Sequence, residues 1–202
     1  MNQFKIFTGG VLDTNSFLHA APEGNILFDA PQGADAAFAD TRIDLLLLTH
    51  GHFDHIADAA AIVQRHGCKV GYHADTIPMT EEENYFRQWG FELEIKTFSA
   101  DFLIDEGPRE FLGLSVTSLH VPGHCPGSLC FFLPTENTLI GGDVLFRGGI
   151  GRWDLPGGDR ELLLTGIRTK LLPLDDGVEV LPGHGPATTI GRERQENSFL
   201  AA

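Results

Sequence analysis

The sequence predicts an α/β protein, a four-layer αββα sandwich, and three observations carry that expectation. Short apolar runs bounded by glycine and proline recur along the chain, with helix candidates between them and no linker or low-complexity break. Each half runs strands first and helix later, an order that favours two βα halves packed sheet to sheet over a doubly wound parallel sheet. Four of the apolar strands deliver a ligand-type residue at their end: at His50, just before His124, at Asp143 and just before His184. Side chains at strand ends, with their loops along one edge, are how sheets build sites. A chain of 202 residues fits one domain of ordinary size, spanning residues 1–202.

Residues 4–8, 16–20 and 25–30 are strand candidates, separated by Gly9-Gly10 and by Pro22-Glu23-Gly24. Residues 33–40 suggest a short helix, and Ile43-Asp44-Leu45-Leu46-Leu47-Leu48 a buried strand. The alanine-rich residues 56–66 read as a helix ending near Gly67, followed by a strand over 69–73. Residues 75–90 are acidic and partly helical and are expected to flank the site entrance, and 97–111 contain a Gly-Pro turn. Strands are expected over 114–121, 129–133, 138–140 and 178–181, a glycine-rich loop over 146–159, and helices over 160–172 and 191–200.

Hydrophobic residues make up 42% and charged residues 21%, a globular composition. The formal net charge of −14 argues against a general nucleic-acid or anionic-membrane surface. It does not argue against an anionic substrate, because bound cations can dominate the local field. No apolar run approaches the length of a membrane span. Residues 1–6 enter a strand pattern at once, without a signal-peptide layout. Cys68, Cys125 and Cys130 are odd in number and lack a paired-disulfide pattern, so a reducing cytoplasm is expected. All three read as small buried apolar residues.

The densest chemistry lies in Thr49-His50-Gly51-His52-Phe53-Asp54-His55. Four ligand-type side chains this close together, at a strand-to-helix junction, read as a metal-ligand cluster rather than as core histidines. Gly51 is expected to let the backbone turn sharply between the first two imidazoles. His50 and His52 can face one point and Asp54 and His55 a neighbouring one, so two adjacent metal positions follow. Further on, Pro122-Gly123 and Pro126 fix a tight loop around His124, Gly141-Gly142 precedes Asp143, and Pro182-Gly183-His184-Gly185-Pro186 presents His184. Imidazole and carboxylate ligands without thiolate suit zinc, iron or manganese. Two divalent metal ions are expected, zinc first. His120, four residues before His124, could orient a ligand imidazole, but like His19, His66 and His73 it reads first as structural or exposed.

His50-Gly-His52-Phe-Asp54-His55, followed by His124, Asp143 and His184, resembles the ligand pattern of the metallo-β-lactamase superfamily over nearly the whole chain. The resemblance implies that His50, His52 and His124 hold a first metal and that Asp54, His55 and His184 hold a second, with Asp143 bridging both. It implies a hydroxide held between metals about 3.5–4 Å apart, with Asp54 helping to orient it and no serine or cysteine nucleophile. Cys125 is therefore left to packing. Within the superfamily the chain is similar to the glyoxalase II (hydroxyacylglutathione hydrolase) group, especially its short bacterial forms. Gly142-Asp143-Val144-Leu145-Phe146, residues 149–158, Pro182-Gly183-His184-Gly185-Pro186, Thr188-Thr189-Ile190-Gly191 and Glu193 carry that similarity. Gly149 and Trp153 depart from it, standing where the short forms commonly have Ser and Thr. Full-length members take glutathione contacts from a further helical segment. This sequence ends soon after His184, so substrate contact is expected from Arg152 first and Arg147 second, as guanidinium forks that match a carboxylate. For both, a salt bridge to loop acids such as Asp154 or Asp159 is the plainer role, and for Arg147 it is the favoured one.

The reaction so implied is attack of a dinuclear metal hydroxide on a small-molecule acyl-thioester such as S-lactoylglutathione. A thiolate whose conjugate acid has a pKa of about 8.5 leaves without strong protonation, and no dedicated general acid is evident. One alternative is a mononuclear iron persulfide dioxygenase using His50, His124 and Asp143 as a facial triad. Arg152 and Asp154 follow Asp143 at that family's spacing, but Gly185 stands where it usually has Asp. The other alternative is a non-catalytic metal-binding scaffold, which predicts lost ligands, and none is missing.

Overall fold

The computed structural model of the chain describes residues 4–90 and 94–200. Residues 1–3, where the strand pattern begins in the sequence, lie outside the described residues, as do 91–93 and 201–202. The first sheet contains β1 (Phe4–Gly9), β2 (Thr14–Ala21), β3 (Gly24–Phe28), β4 (Leu45–Leu47), β5 (Lys69–Tyr72) and β6 (Phe102–Leu103), in that spatial order. Its first three strands form an antiparallel meander, and β3 to β6 run parallel. Helices α1 (Ala34–Ala37), α2 (Phe53–Ile56), α3 (Ala59–His66) and α4 (Ile77–Glu81) lie in the crossovers.

The second sheet holds β7 (Gly107–Phe111), β8 (Leu114–His120), β9 (Leu129–Leu133) and β10 (Thr138–Gly142). After the small hairpin of β11 (Leu145–Phe146) and β12 (Gly149–Ile150) and helix α5 (Arg160–Gly166), it is completed by β13 (Glu179–Pro182) and β14 (Thr188–Thr189). The order is β14-β13-β10-β9-β8-β7, and α6 (Ile190–Glu196) follows. No helix among the described residues is long and apolar enough to cross a membrane.

Side-chain alternation explains the four layers. In β3, Ile26 and Phe28 enter the core between the sheets, whereas Leu27 faces the outer helices. In β4, Leu45 and Leu47 face inward and Leu46 outward. The second sheet repeats the rule: Ile140 and Leu181 meet the first sheet, whereas Leu139 and Val180 pack with Leu163 and Ile167. Strands covered on both faces must be apolar at nearly every position, which is why residues 43–48 show no alternation in the sequence.

Three local differences from the sequence expectation have physical causes. The helix expected over 56–66 is two pieces, because Ala30 inserts between them: its N–H donates to the His55 carbonyl and its carbonyl accepts from the Asp58 N–H. Asp58 in turn caps α1, accepting from the Gly33 and Asp35 N–H groups. Gly107-Pro108 does not make a turn but opens β7, an edge strand, where a missing N–H costs no ladder bond. The helix expected over 160–172 turns π-helical after Gly166, over Ile167–Leu171.

Candidate metal centre

Strands β8, β10 and β13 run in the same direction, so the loops after them emerge on one edge of the second sheet. Those loops carry His124, Asp143 and His184. The loop after β4 brings His50 and His52, and α2 brings Asp54 and His55. Two backbone links lock the edges together: the Leu129 N–H donates to the Thr49 carbonyl at 2.7 Å, and the Asn15 N–H to the Gly183 carbonyl at 2.7 Å. All seven residues expected as ligands therefore meet.

They form two groups. In the first, His50 Nε2 lies 3.1 Å from His52 Nδ1 and 3.3 Å from His124 Nε2. A neutral imidazole nitrogen offers either a proton or a lone pair, so three such atoms cannot all satisfy one another. In the second, Asp54 Oδ2 lies 3.5 Å from His55 Nε2 and 3.3 Å from His184 Nε2. Asp143 touches both groups: its Oδ2 lies 3.6 Å from His124 Nε2 and 3.2 Å from His184 Nε2, and its Oδ1 lies 3.3 Å from His55 Nε2.

Outer hydrogen bonds set the ring orientations. His55 Nδ1 donates to Asp29 Oδ2 at 2.8 Å, His124 Nδ1 to the Arg152 carbonyl at 2.8 Å, and His184 Nδ1 to the Leu12 carbonyl at 3.0 Å. His50 Nδ1 donates to Thr49 Oγ1, whose own proton goes to Asp29 Oδ2. Each of these four rings is left with Nε2 facing the centre, the tautomer a metal needs. Thr14 Oγ1 donates to Asp54 Oδ2 at 2.7 Å and fixes that carboxylate.

Asp29 and Thr14 were not singled out in the sequence. Asp29 had a signal, since it ends the apolar run Ile26-Leu27-Phe28 as the other site residues end theirs. It adopts φ 59°, a left-handed conformation that Asp tolerates better than most side chains. Thr14 had none, because it reaches the centre through the tertiary pairing of the first hairpin with the last loop, where Thr14 bridges to His184.

Two glycines are required by space. Gly51 keeps a negative φ and makes no left-handed turn; a Cβ there would lie 2.8 Å from Met79 Cβ and 2.9 Å from Thr76 Cγ2. At Gly183 a Cβ would meet Asp143 Oδ1 at 2.2 Å. The glycine expected between the first two imidazoles is thus needed as room for a close approach.

The two groups differ electrostatically. Burial holds His50 and His124 below the usual imidazole range and pushes His52 down to about 3. Burial also opposes charge on His55 and His184, but the neighbouring carboxylates win, led by Asp143, and His184 rises to about 10. For Asp143 and Asp54 burial is overcome by these imidazoles: Asp143 is held well below the carboxylate range and Asp54 falls to about 2. The carboxylates favour positive charge on His55 and His184, charge that divalent cations would supply equally. The donor set fits such cations. It is nitrogen and oxygen without thiolate, and His55 Nε2 and Asp143 Oδ1 are buried without a hydrogen-bond partner.

A pocket of about 580 Å³ opens above the centre, lined by His52, Asp54, His124, Asp143 and His184 together with Leu12, Phe53, Phe146, Ile150, Arg152 and Leu155. Arg152 is at the rim, but its guanidinium is forked onto Asp154 at 2.8 and 2.9 Å. Arg147 is exposed and does not line the pocket; no ion pair to Asp154 or Asp159 forms among the described residues. Of the two arginines, it is Arg152 that takes the salt bridge expected as the plainer role for both. Among the described residues none of 75–87 lines the pocket either; Phe86 backs the lining residue Phe53, with ring centroids 6.0 Å apart. Trp153 turns away, its ring beneath the Arg160 guanidinium and against Phe199. Cys68, Cys125 and Cys130 are buried, and burial pushes the Cys125 thiol up to about 11, which keeps it protonated and unreactive. His120 donates from Nε2 to the Pro126 carbonyl at 2.8 Å and so steadies the loop that carries His124.

Known proteins show the same construction. Residues 9–184 match the sequence profile of the metallo-beta-lactamase superfamily. The chain is 40% identical over 165 residues to hydroxyacylglutathione hydrolase GloC of Haemophilus influenzae, covering 80% of this chain and 77% of that one. The BLEG-1 B3 metallo-beta-lactamase superposes with a TM-score of 0.91 at 35% identity, over 98% of this chain and all of that one. TTHA1623, solved in a di-iron-bound form, superposes with a TM-score of 0.87 at 35% identity, over 97% of this chain and 100% of its own. With two sheets back to back, seven candidate ligands on one edge and these relatives, the chain belongs to the metallo-β-lactamase superfamily.

Proposed function

We propose that the protein is a metal-dependent hydrolase of acyl-thioesters, with S-lactoylglutathione as the reference substrate. The observation that carries this reading is the convergence of two ligand groups on a shared Asp143 at the floor of an open pocket. His50, His52 and His124 would hold one divalent cation, and Asp54, His55 and His184 a second. Bound there, such cations would acidify a water and polarise an acyl carbonyl. The protein's own part is positional. Asp29 fixes His50 and His55, Thr14 fixes Asp54, and Leu12, Phe53, Phe146, Ile150 and Leu155 give an apolar wall against which an acyl group excludes water.

The leaving group follows from the pocket lining. Among the described residues its titratable side chains are His52, Asp54, His124, Asp143, His184 and Arg152. All but Arg152 are committed to cation binding. A leaving amine needs a proton and a thiolate does not. This supports a thioester over an amide, and the similarity to GloC supports the same reading. Ring opening of a β-lactam is the rival, motivated by the similarity to BLEG-1.

The test is an assay of metal-loaded protein on S-lactoylglutathione, on a chromogenic cephalosporin, and on glutathione persulfide with oxygen uptake recorded. Metal-dependent thiol release from the first is expected. Lactam opening or oxygen uptake without thiol release would overturn the proposal.

A further inference from the structure

One wall of the pocket above the metal centre comes from the β1–β2 hairpin. At its tip two apolar neighbours face outward: Val11 is 80% exposed and Leu12 51%. Single exposed apolar side chains are ordinary, but this pair is held in place. Gly10 and Asp13 bracket it in left-handed conformations, with φ 72° and 53°. The Leu12 carbonyl accepts from His184 Nδ1, and the Thr14 hydroxyl donates to Asp54. The Asn15 side-chain amide donates to the Pro182 carbonyl at 3.0 Å and to the Gly185 carbonyl at 2.9 Å. The hairpin that carries the two exposed side chains is therefore fastened to the ligand loops themselves.

Leu12 lines the 580 Å³ pocket, and Val11 lines a second cavity of about 220 Å³ together with Ala57 and Ile95. Both cavities touch Phe53 and Asp54, so the Phe53 ring is a wall they share. That ring is backed by Phe86, and the Phe146 ring meets the His184 ring with centroids 6.2 Å apart. The apolar surface thus begins beside His184, at Leu12 and Phe146, and continues past Phe53 to Val11. At the rim the Arg152 guanidinium is already matched by Asp154, and the pair is neutral as a whole.

We infer that the preferred substrates are thioesters of medium-length apolar acyl chains, and that Val11, Leu12 and Phe146 select the chain. The inference rests on the thioesterase reading and adds the acyl group to it. An acyl chain starts at the carbonyl carbon, which must lie over the ligands. Its first methylenes therefore meet Leu12 and Phe146, and its far end reaches the cavity at Val11. Each methylene taken out of water favours binding by up to about fourfold. A lactoyl group offers one methyl to this wall and a hydroxyl that apolar side chains leave without a partner. The reaction is the same for every chain: water adds across the C–S bond, giving a carboxylate and a thiol.

The test is a chain-length series at constant thiol. Metal-loaded full chain is assayed on S-acetyl-, S-butanoyl-, S-hexanoyl- and S-octanoylglutathione beside S-lactoylglutathione. From acetyl to hexanoyl kcat/KM is expected to rise about tenfold or more, through KM rather than kcat, because the chain is gripped alike before and during the reaction. S-lactoylglutathione is expected to fall with the short chains. Val11→Asp should leave the acetyl substrate unchanged and remove the gain between butanoyl and octanoyl, because it puts a charge where the chain ends. As a measurement of binding alone, hexanoate should inhibit S-acetylglutathione hydrolysis about tenfold or more better than acetate. Rates that are flat or falling with chain length, or S-lactoylglutathione preferred over every simple chain, overturn the inference and leave the hydrolase standing. An unchanged profile in Val11→Asp overturns the part given to the hairpin. Failure to cleave any of the five overturns the thioesterase reading itself.

Discussion

In the His50–His52–His124 group burial decides the charge state, whereas in the Asp54–His55–His184 group the carboxylates do. Both groups sit on the same edge, a few ångströms apart, and share Asp143. The first is three neutral rings packed against one another, ready for a cation without losing protons. In the second, the carboxylates raise the affinity of His55 and His184 for protons, so a cation entering there would compete with them. Two adjacent ligand groups that share a carboxylate need not be symmetric. Neutral imidazoles would take a cation directly, whereas protonated ones would first give up a proton to it.

The largest effect is expected from Asp143→Ala. Since Asp143 touches both groups, the substitution is expected to empty both, with metal content falling from two equivalents to near none and activity falling by more than the roughly 10–100-fold typical of outer-shell losses. Retention of two equivalents would refute the bridging role. His184→Ala should separate the halves. Elemental analysis is expected to find one equivalent kept by the first group, and equal loss from both would show that they do not bind independently.

Asp29→Asn is expected to cost about 10–100-fold in metal affinity, read by competition with a chelator. It should weaken the second group more, because His55 contacts Asp29 directly whereas His50 does so through Thr49. Removing the metal altogether should lower stability by about 3–4 kcal/mol at metal concentrations of roughly 100–1,000 times the dissociation constant, measured as a fall in melting temperature after chelation.

The smallest effect sets the scale for carboxylates outside the centre. Asp35 is forked onto Arg65 at 2.6 Å for both contacts, tying α1 to α3 on the surface. Asp35→Asn should cost no more than ~1 kcal/mol in denaturant unfolding. The hydrogen bond from Arg65 holds the Asp35 carboxyl below its ordinary 3.8. The folded state therefore binds this proton less readily than the unfolded state, so the contribution is intact above the unfolded value and fades as pH falls through the lowered one.

Much of this was legible in the chain. Histidine and aspartate at strand ends announced the centre, because a strand end on a rigid sheet is one of the few places where four distant segments can meet. Residues 43–48, apolar throughout, announced a strand covered on both faces. The parts that stayed hidden depend on contacts between segments far apart in sequence. Ala30 splits the helix at residues 56–66 through backbone bonds that no propensity encodes. Asp58 caps a neighbouring helix in place of its own. Arg152 is silent in sequence about whether it faces a substrate or Asp154, since both partners are within reach of a long side chain.

The sequence by itself determined which atoms could hold cations and that they lie at the ends of buried strands, since residue chemistry and hydrophobic period are local properties. It took the folded chain to bring Asp29 to imidazoles of both groups and Thr14 to Asp54. Those facts are distances between side chains brought together by the packing of two sheets, and the order of residues along one chain does not contain them.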